Sequence, residues 1–160
     1  MKEKIYKHLR ELGVEFVIHD HPPLFTCADH DKYGLTFEGL QCKNLFLRDQ
    51  KKTRYFLVSM PADKPLSLAD LAPELGEKKL SFVNETELLD KLGVTTGAVS
   101  VLNVIGAKDR DVIYIIDGTL KTANKVGFHP SDNTATVVFS GKDLERILKS
   151  KNVNYKFITI

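Results

Sequence analysis

The segment QCKNLFLRD, residues 41–49, places a lysine inside an otherwise apolar run. Because side chains alternate along a strand, Lys43 would share a face with Leu45 and Leu47 and lie at the margin of the core. A desolvated ammonium there could bind a phosphate, a carbonyl oxygen or a developing oxyanion. The alternative is a lysine at the start of a strand that keeps its amine in solvent. The spacing alone leaves both interpretations open.

A second candidate is the segment LGVTTGAVSV, residues 92–101, in which Gly97 lies among small residues. Small residues let backbone N–H groups approach a ligand closely, as an oxyanion or carboxylate site requires. An ordinary loop between a helix and a strand would have the same composition.

A third candidate is the segment GFHPSDNTATVVF, which places His129, Asn133 and Thr134 just before a strongly apolar strand. Polar residues at such a position can line a site, and the histidine could orient a substrate or transfer a proton. The alternative is a turn, because proline, aspartate and asparagine in this segment are all turn formers.

Histidine and cysteine also cluster near the N-terminus, at His19, His21, Cys27 and His30. The spacing of Cys27 and His30 would suit a metal, but two prolines interrupt the set and paired ligand spacings are absent. Solvated or hydrogen-bonded histidines are the preferred interpretation, and we expect no metal. The chain has no Gly-x-Ser-x-Gly elbow and no cysteine with a nucleophile signature.

Local patterns predict the elements that must position these residues. Helices are predicted at 2–12, 67–72, 84–93 and from 140 onward, with a short one at 27–33. Strands are predicted at 14–20, 42–48, 53–60, 111–117 and 134–139, and the final YKFITI could close the sheet. The short polar link DQKK predicts a hairpin between the strands at 42–48 and 53–60.

Capping residues mark several helix ends. Ser67, Asn84 and Ser140 each precede an acidic residue by three positions, which is typical of a helix start. Gly13 and Gly93 follow the last apolar positions of their helices and predict where these end. Interspersed strands and helices without a linker indicate one α+β domain over residues 1–160.

Composition excludes several protein classes. The apolar fraction of 42% allows one real core, and 23 basic against 21 acidic residues exclude a bulk polycation. A local basic patch could still contact nucleic acid. Two cysteines and no signal peptide predict a cytoplasmic protein, and no apolar run approaches the roughly 18 residues of a membrane span. No Gly-rich phosphate loop follows a strand.

Six segments together resemble a known family. They are FTCADH (25–30), KNLFLRD (43–49), LSF (80–82), LGVTTGAVSV (92–101), FHPSDNTATV (128–137) and DL (143–144). In order and spacing they resemble the YbaK/ProX family of free-standing aminoacyl-tRNA deacylases, which are similar to the editing insertion of bacterial prolyl-tRNA synthetase. The resemblance covers roughly residues 15–150. It is nearest to the ProXp-ala or PrdX subgroup, which hydrolyses alanine mischarged onto proline tRNA, and weaker to the cysteine-clearing YbaK subgroup.

The resemblance implies a mixed, strongly curved β-sheet flanked by helices, and it assigns roles to residues. The implied catalytic residues are Lys43, Gly97 and Ala98. The implied substrate-binding residues are Thr26, Val99, Ser100, His129, Asn133 and Thr134. The implied tRNA-binding residues are Asn44, Arg48, Lys51 and Lys52.

The chain departs from the family pattern in the loop that usually reads Gly-x-x-x-Pro. Val101 occupies the place of the proline, and the acidic residue expected after the loop is displaced in IGAKDRD. Proline would fix the backbone and valine does not, so a looser loop or an altered acyl pocket is predicted. This departure bears more on which amino acid the protein would remove than on the type of reaction.

The resemblance also implies the chemistry and the partners. A water molecule helped by the ribose hydroxyl of the substrate would attack the ester, without metal or cofactor. The acceptor end of tRNA(Pro) would be the ligand and prolyl-tRNA synthetase a further partner. A deacylase for cysteine or another small amino acid is an alternative, as is a non-catalytic module that binds a tRNA end or a synthetase. The oligomeric state is left open.

Overall fold

The predicted strands belong to one mixed eight-stranded sheet in the computed structural model, which describes residues 1–24, 38–107 and 111–160. The strands are β1 (Phe16–Asp20), β2 (Leu40–Asp49), β3 (Tyr55–Pro61), β4 (Leu80–Phe82), β5 (Ile113–Asp117), β6 (Val126–Phe128), β7 (Ala135–Phe139) and β8 (Tyr155–Ile158). Their order is β1-β7-β6-β2-β3-β5-β8, and β4 pairs with β2 outside this path. The predicted helix at 27–33 lies outside the described residues.

The hairpin predicted from the link DQKK is confirmed. β2 and β3 pair antiparallel, from Cys42 opposite Pro61 to Arg48 opposite Tyr55. Asp49 closes the turn, because its carboxylate accepts the Thr53 N–H at 2.8 Å and the Thr53 hydroxyl at 2.6 Å. The other contacts between strands are parallel for β2–β6, β3–β5 and β5–β8, and antiparallel for the rest.

Five α-helices and two 3-10 turns flank the sheet within the described ranges. They are α1 (Lys2–Glu11), α2 (Leu68–Glu74), α3 (Glu85–Leu92), α4 (Gly118–Thr122), α5 (Leu144–Ser150), and the 3-10 turns Val101–Ile105 and Gly141–Asp143. No helix in this part of the chain has the length and apolar character to cross a membrane.

Two of the three predicted helix caps are confirmed. Ser67 and Asn84 accept the backbone N–H groups of the residues three positions later, and Gly93 ends α3 in the left-handed region at φ +73°. The predicted cap at Ser140 is wrong. The chain enters α5 through the turn Gly141–Asp143, so Ser140 does not precede the first α-helical turn and makes no capping hydrogen bond.

The core is divided between the two faces of the sheet, which confirms the alternation predicted for β2. Phe46 belongs to the larger cluster, together with α1, α5 and the turn Val101–Ile105. Leu47 belongs to a smaller cluster with Leu71 and Leu80, and Leu45 packs against it. Burial of a large apolar side chain contributes roughly 1.5–3 kcal/mol, so both clusters hold β2 firmly in place.

Candidate active site

One edge of β2 is unpaired in its middle. β3 covers the opposite edge over Cys42–Arg48, whereas this edge is paired by β6 only at Leu40 and Gln41 and by β4 only from Leu47 onward. Between these two short strands the sheet has a gap, and the backbone of β2 forms its wall.

The gap exposes backbone hydrogen-bonding groups of β2. The Phe46 carbonyl accepts the Val83 N–H on this edge, and the Leu40 N–H donates to Lys125 there. Alternate residues point their N–H and C=O groups to the same edge, so those of Asn44 also face the gap. The N–H and C=O of Asn44 and the N–H of Phe46 form no hydrogen bond within the described ranges. No group of the described residues engages them, so they could bind a ligand.

A pocket of about 370 Å³ occupies this gap. Because a strand edge forms its wall, side chains of both sheet faces reach it, including Lys43 from one face and Asn44 from the other. The remaining lining residues are Leu24, Cys42, Leu45, Phe46, Phe82, Val83, Leu88, Thr96, Gly97, Val99 and His129. The structure thus brings together five of the residues predicted for the site, namely Lys43, Asn44, Gly97, Val99 and His129.

The loop after α3 brings to the pocket two residues whose N–H groups have no described partner. Gly97 has φ +91°, a left-handed conformation that glycine adopts without strain. Gly97 and Val99 line the pocket, and their N–H groups form no hydrogen bond among the residues that are described. The Ala98 N–H donates to the Thr95 carbonyl at 3.1 Å. The backbone donors available to a ligand are therefore those of Gly97 and Val99, whereas the amide of the predicted catalytic residue Ala98 is already engaged.

Asn103 holds this loop, and sequence reasoning missed it. Its Oδ1 accepts the Ser100 N–H at 2.7 Å, and its Nδ2 donates to the Ala98 carbonyl at 3.2 Å and to the Ser131 hydroxyl at 2.7 Å. Ser100 is buried and accepts the Leu102 N–H, so it supports the loop from inside. The three-residue spacing of Ser100 and Asn103 is that of a capping box, the signal that could have identified this pair.

Asn44 connects the strands to the same loop. Its Oδ1 accepts the Ser59 hydroxyl at 2.5 Å and the Val101 N–H at 3.2 Å. Proline lacks an N–H and could not make the second bond. Val101 is fully buried, so a hydrogen bond and packing hold the backbone where the family's proline would. The looser loop or altered acyl pocket predicted from Val101 stays a prediction.

His129 lines the pocket from the strand β7 side of the gap. Its Nδ1 lies 2.9 Å from the Ala135 carbonyl, and because a carbonyl only accepts, this nitrogen carries the proton. The ring stands edge-on to that of His21, at 5.8 Å between centroids. Both contacts fix the orientation of the imidazole.

Both ring nitrogens of His21 are engaged in hydrogen bonds, which leaves neither for a metal. Its Nδ1 lies 2.9 Å from the Pro22 carbonyl and its Nε2 lies 2.8 Å from the Thr136 hydroxyl. Of the other members of the N-terminal cluster, His19 lies in β1, and Cys27 and His30 lie outside the described residues. Within those residues no three His, Cys, Asp or Glu side chains are grouped as metal ligands.

Asn133 and Thr134 form a turn and do not line the pocket. The Thr134 N–H and hydroxyl both donate to Asp132 Oδ1, at 2.8 and 2.5 Å. The Thr134 hydroxyl lowers the pKa of Asp132, against the opposing effect of burial. Asn133 donates from Nδ2 to the Leu24 carbonyl at 3.1 Å. Their predicted contact with substrate stays a prediction, as does that of Thr26, which lies outside the described residues.

The predicted tRNA-binding cations lie away from the pocket. Lys51 and Lys52 are exposed in the β2–β3 turn, beyond Asp49 where β2 ends, and neither lines the pocket. Arg48 is partly buried, with its Nε 3.7 Å from Glu87. Burial raises the pKa of Glu87, but the Tyr55 hydroxyl and the Arg48 charge outweigh it, so the pKa lies below its ordinary value. Arg48 is thus already balanced by a carboxylate.

The family model and the similar sequences all point to the same group of proteins. The profile of the aminoacyl-tRNA editing domain matches residues 21–147. The chain is 35% identical over 159 residues to the prolyl-tRNA editing protein ProX of Acetoanaerobium sticklandii, covering 99% of this chain and 97% of the relative. It is 32% identical over 154 residues to the mouse (Mus musculus) prolyl-tRNA synthetase associated domain-containing protein 1, covering 94% and 90%.

Solved structures share the fold. The hypothetical protein APE2540 superposes with a TM-score of 0.74 at 18% identity, covering 96% of this chain and 97% of the other. A candidate trans-editing enzyme for prolyl tRNA synthetase superposes with a TM-score of 0.71 at 16% identity, covering 99% and 96%. The mixed sheet flanked by helices that the sequence predicts is confirmed.

Proposed function

Because this chain belongs to the aminoacyl-tRNA editing domain family, we propose that it is a trans-editing deacylase that removes alanine from mischarged tRNA(Pro). The observation that carries the proposal is the pocket in the gap of the sheet. It combines the Lys43 side chain with the unused N–H groups of Gly97 and Val99. A cation and two backbone donors are suited to an ester whose hydrolysis passes through a tetrahedral oxyanion.

Each group has a role in this reaction. The N–H groups of Gly97 and Val99 stabilise the oxyanion, an effect of about 3–4 kcal/mol for one donor. Lys43 binds the terminal phosphate or the carbonyl oxygen of the ester. The unpaired Asn44 carbonyl faces the same gap and accepts from the α-ammonium group of the amino acid. The pocket thereby orients the substrate and stabilises charge, which are the main contributions to catalysis when no protein nucleophile takes part.

The nucleophile is water, assisted by the ribose hydroxyl of the substrate. The thiol of Cys42 also lines the pocket, but it donates to the Leu40 carbonyl at 3.5 Å, which favours the neutral thiol over the thiolate that could attack. No metal is required in this scheme, because backbone donors and Lys43 supply the charge stabilisation.

Selectivity for a small amino acid is supported by a side pocket of about 30 Å³, which shares Cys42, Asn44 and His129 with the main pocket. We propose that it receives the side chain of the amino acid and favours a methyl group over the ring of proline. Cysteine and serine are only slightly larger than alanine, and a pocket separates ligands differing by one methylene only about 10–200-fold. These amino acids are the alternatives to alanine.

The tRNA and the partner are proposed from the relatives. Their names refer to prolyl-tRNA editing and to an association with prolyl-tRNA synthetase. We take the acceptor end of tRNA(Pro) as the ligand, prolyl-tRNA synthetase as a partner and the cytoplasm as the location. The exposed Lys51 and Lys52 are placed to contact phosphates further along the acceptor stem.

Deacylation assays test the proposal directly. Ala-tRNA(Pro), Cys-tRNA(Pro) and Pro-tRNA(Pro) are incubated with the protein in the presence of a chelator, and we expect release of alanine without release of proline. Cys42→Ala tests the nucleophile: alanine should still be released without the thiol, although the rate can change because Cys42 lines both pockets. Binding of tRNA without release of any amino acid would instead indicate a non-catalytic binding module, and loss of activity with chelator would contradict the metal-independent mechanism.

Salt dependence tests the ligand. If Lys43, Lys51 and Lys52 each neutralise a phosphate, the logarithm of the binding constant for tRNA(Pro) should fall with the logarithm of salt concentration with a slope of about −2 to −3. Fluorescence anisotropy between low and moderate salt measures this slope. Lys51→Ala combined with Lys52→Ala should reduce its magnitude by about 1–2. An affinity that does not change with salt would contradict tRNA as the ligand.

A further inference from the structure

Phe82 is an exposed aromatic side chain at the pocket. Four large apolar residues are exposed among the described residues, namely Met1, Val17, Phe82 and Leu89. Phe82 is 58% exposed, and of these four it is the one that lines the pocket. An aromatic ring held in solvent beside a binding site is a surface on which a flat ligand can stack.

The position of Phe82 in the sheet relates it to Lys43. Phe82 is paired with Leu47, and residues two apart on a strand share a face, so Phe82 lies on the same face as Leu45 and Lys43. About 13 Å of strand separates Leu47 from Lys43, and both side chains reach into the space between them. The ring and the ammonium thus border opposite ends of the same open surface.

Nothing in the described ranges occupies this surface. The Phe82 ring has no stacking or cation–π contact with another residue there, unlike the rings of Phe46, Tyr55 and Phe56. Lys43 likewise forms no ion pair with a described residue. A ligand that carries a flat apolar group and an anionic group, separated by the length of a nucleotide, would match both side chains.

We propose that Phe82 stacks on the adenine of the terminal nucleotide of the tRNA, while Lys43 binds its phosphate and the ester enters the gap toward Gly97 and Val99. The inference rests on the proposed function and adds the recognition of the nucleotide base. Because every tRNA carries this adenosine, the contact contributes affinity for the acceptor end and no selectivity for the amino acid. Stacking uses the flat face of the base and not its hydrogen-bonding edges, so it tolerates different bases.

Substitution of Phe82 separates this role from a structural one. Phe82→Ala should raise KM for Ala-tRNA(Pro) about 5- to 150-fold with little change in kcat, since stacking holds the substrate and does not contribute to the chemistry. Phe82→Trp should restore KM, because it keeps a stacking surface. Leu89→Ala is the matched control, since Leu89 is 53% exposed and does not line the pocket.

A fluorescent base gives a direct readout that does not need catalysis. The probe is uncharged tRNA(Pro) with 2-aminopurine in place of the terminal adenine. Its fluorescence should be quenched on binding to the wild type and to Phe82→Trp, and not on binding to Phe82→Ala. A tRNA with an abasic terminal nucleotide should bind wild type and Phe82→Ala equally. Equal quenching by wild type and Phe82→Ala, or an unchanged KM, would overturn the stacking proposal.

The two proposals fail in different ways. If the wild type binds and quenches the labelled tRNA but releases no amino acid, the deacylase function is wrong and the stacking contact stands. If the wild type releases alanine and Phe82→Ala does so with the same KM, the function stands and the stacking contact is wrong. If the wild type does not bind the labelled tRNA at any concentration, both are wrong.

Discussion

Replacing Lys43 with alanine is expected to lower kcat/KM for deacylation of Ala-tRNA(Pro) by about 10²–10³-fold, the size of effect seen when one charge-stabilising donor is removed from a site of this kind. The lysine lines the pocket and forms no ion pair among the described residues, so its loss leaves no charge unbalanced. The midpoint of thermal unfolding should therefore stay close to that of the wild type. Single-turnover kinetics and a melting curve measure both.

Two variants make the Lys43 result specific. Lys43→Arg keeps the charge but replaces a compact ammonium with a planar guanidinium, so it should recover binding of tRNA more than the rate of hydrolysis. Lys142→Ala removes an exposed lysine from the turn before α5 and should leave the activity unchanged. If Lys43→Ala retained the wild-type rate, the residue would be an ordinary lysine at a strand margin and the chemistry would lie elsewhere.

Replacing Asn103 with alanine is expected to lower the free energy of unfolding by about 3 kcal/mol, because buried partners lose their hydrogen bonds and each unsatisfied group costs roughly 1–3 kcal/mol. Asn103 is 1% exposed and its partners Ser100 and Ala98 are buried, so water does not replace these two bonds. The hydroxyl of Ser131 is only partly buried and can bond to water instead. Deacylation should fall as well, because the loop that presents Gly97 and Val99 loses its support. Urea unfolding and the deacylation assay measure the two effects.

Comparison among asparagine variants identifies the bonds responsible. Asn103→Asp keeps an oxygen to accept the Ser100 N–H but removes the two donated bonds, and it also introduces a buried charge, so it should be at least as destabilising as Asn103→Ala. Asn124→Ala removes an asparagine outside the core and should change stability by less than about 0.5 kcal/mol. An Asn103→Ala protein as stable as Asn124→Ala would show that these hydrogen bonds do not hold the loop.

The sequence predicted those features of the fold that depend on neighbouring residues. Alternation along β2, the turn after Asp49 and the caps at Ser67 and Asn84 all act within a few positions, and the structure has each of them. Strands β4 and β6 have three residues each, too few for a periodic pattern. The gap in the sheet is created by where these short strands end, so no local pattern could reveal it.

In the candidate site, too, the sequence predicted what depends on neighbouring residues and not what depends on distant ones. The small residues around Gly97 predicted a backbone-lined loop, but the N–H groups that stay available are decided by Asn103 and by the hydrogen bonds within the loop. The contact that replaces the family's proline joins Val101 to Asn44, which is 57 positions earlier in the chain. Asn133 and Thr134 were predicted at the site from their proximity to a strand; in the structure they form a turn outside the pocket lining, and their contact with substrate stays a prediction.

The unpaired edge of β2 also bears on self-association. Exposed strand edges ordinarily attract strands of other chains and lead to aggregation, and proteins protect them by covering or shortening them. Here β6 and β4 lie at both ends of the open stretch. Among the described residues this leaves only the groups of about two residues unpaired, too few for an incoming strand to dock. The sheet can therefore keep backbone donors and an acceptor ready for a small ligand while remaining closed to amyloid-like pairing.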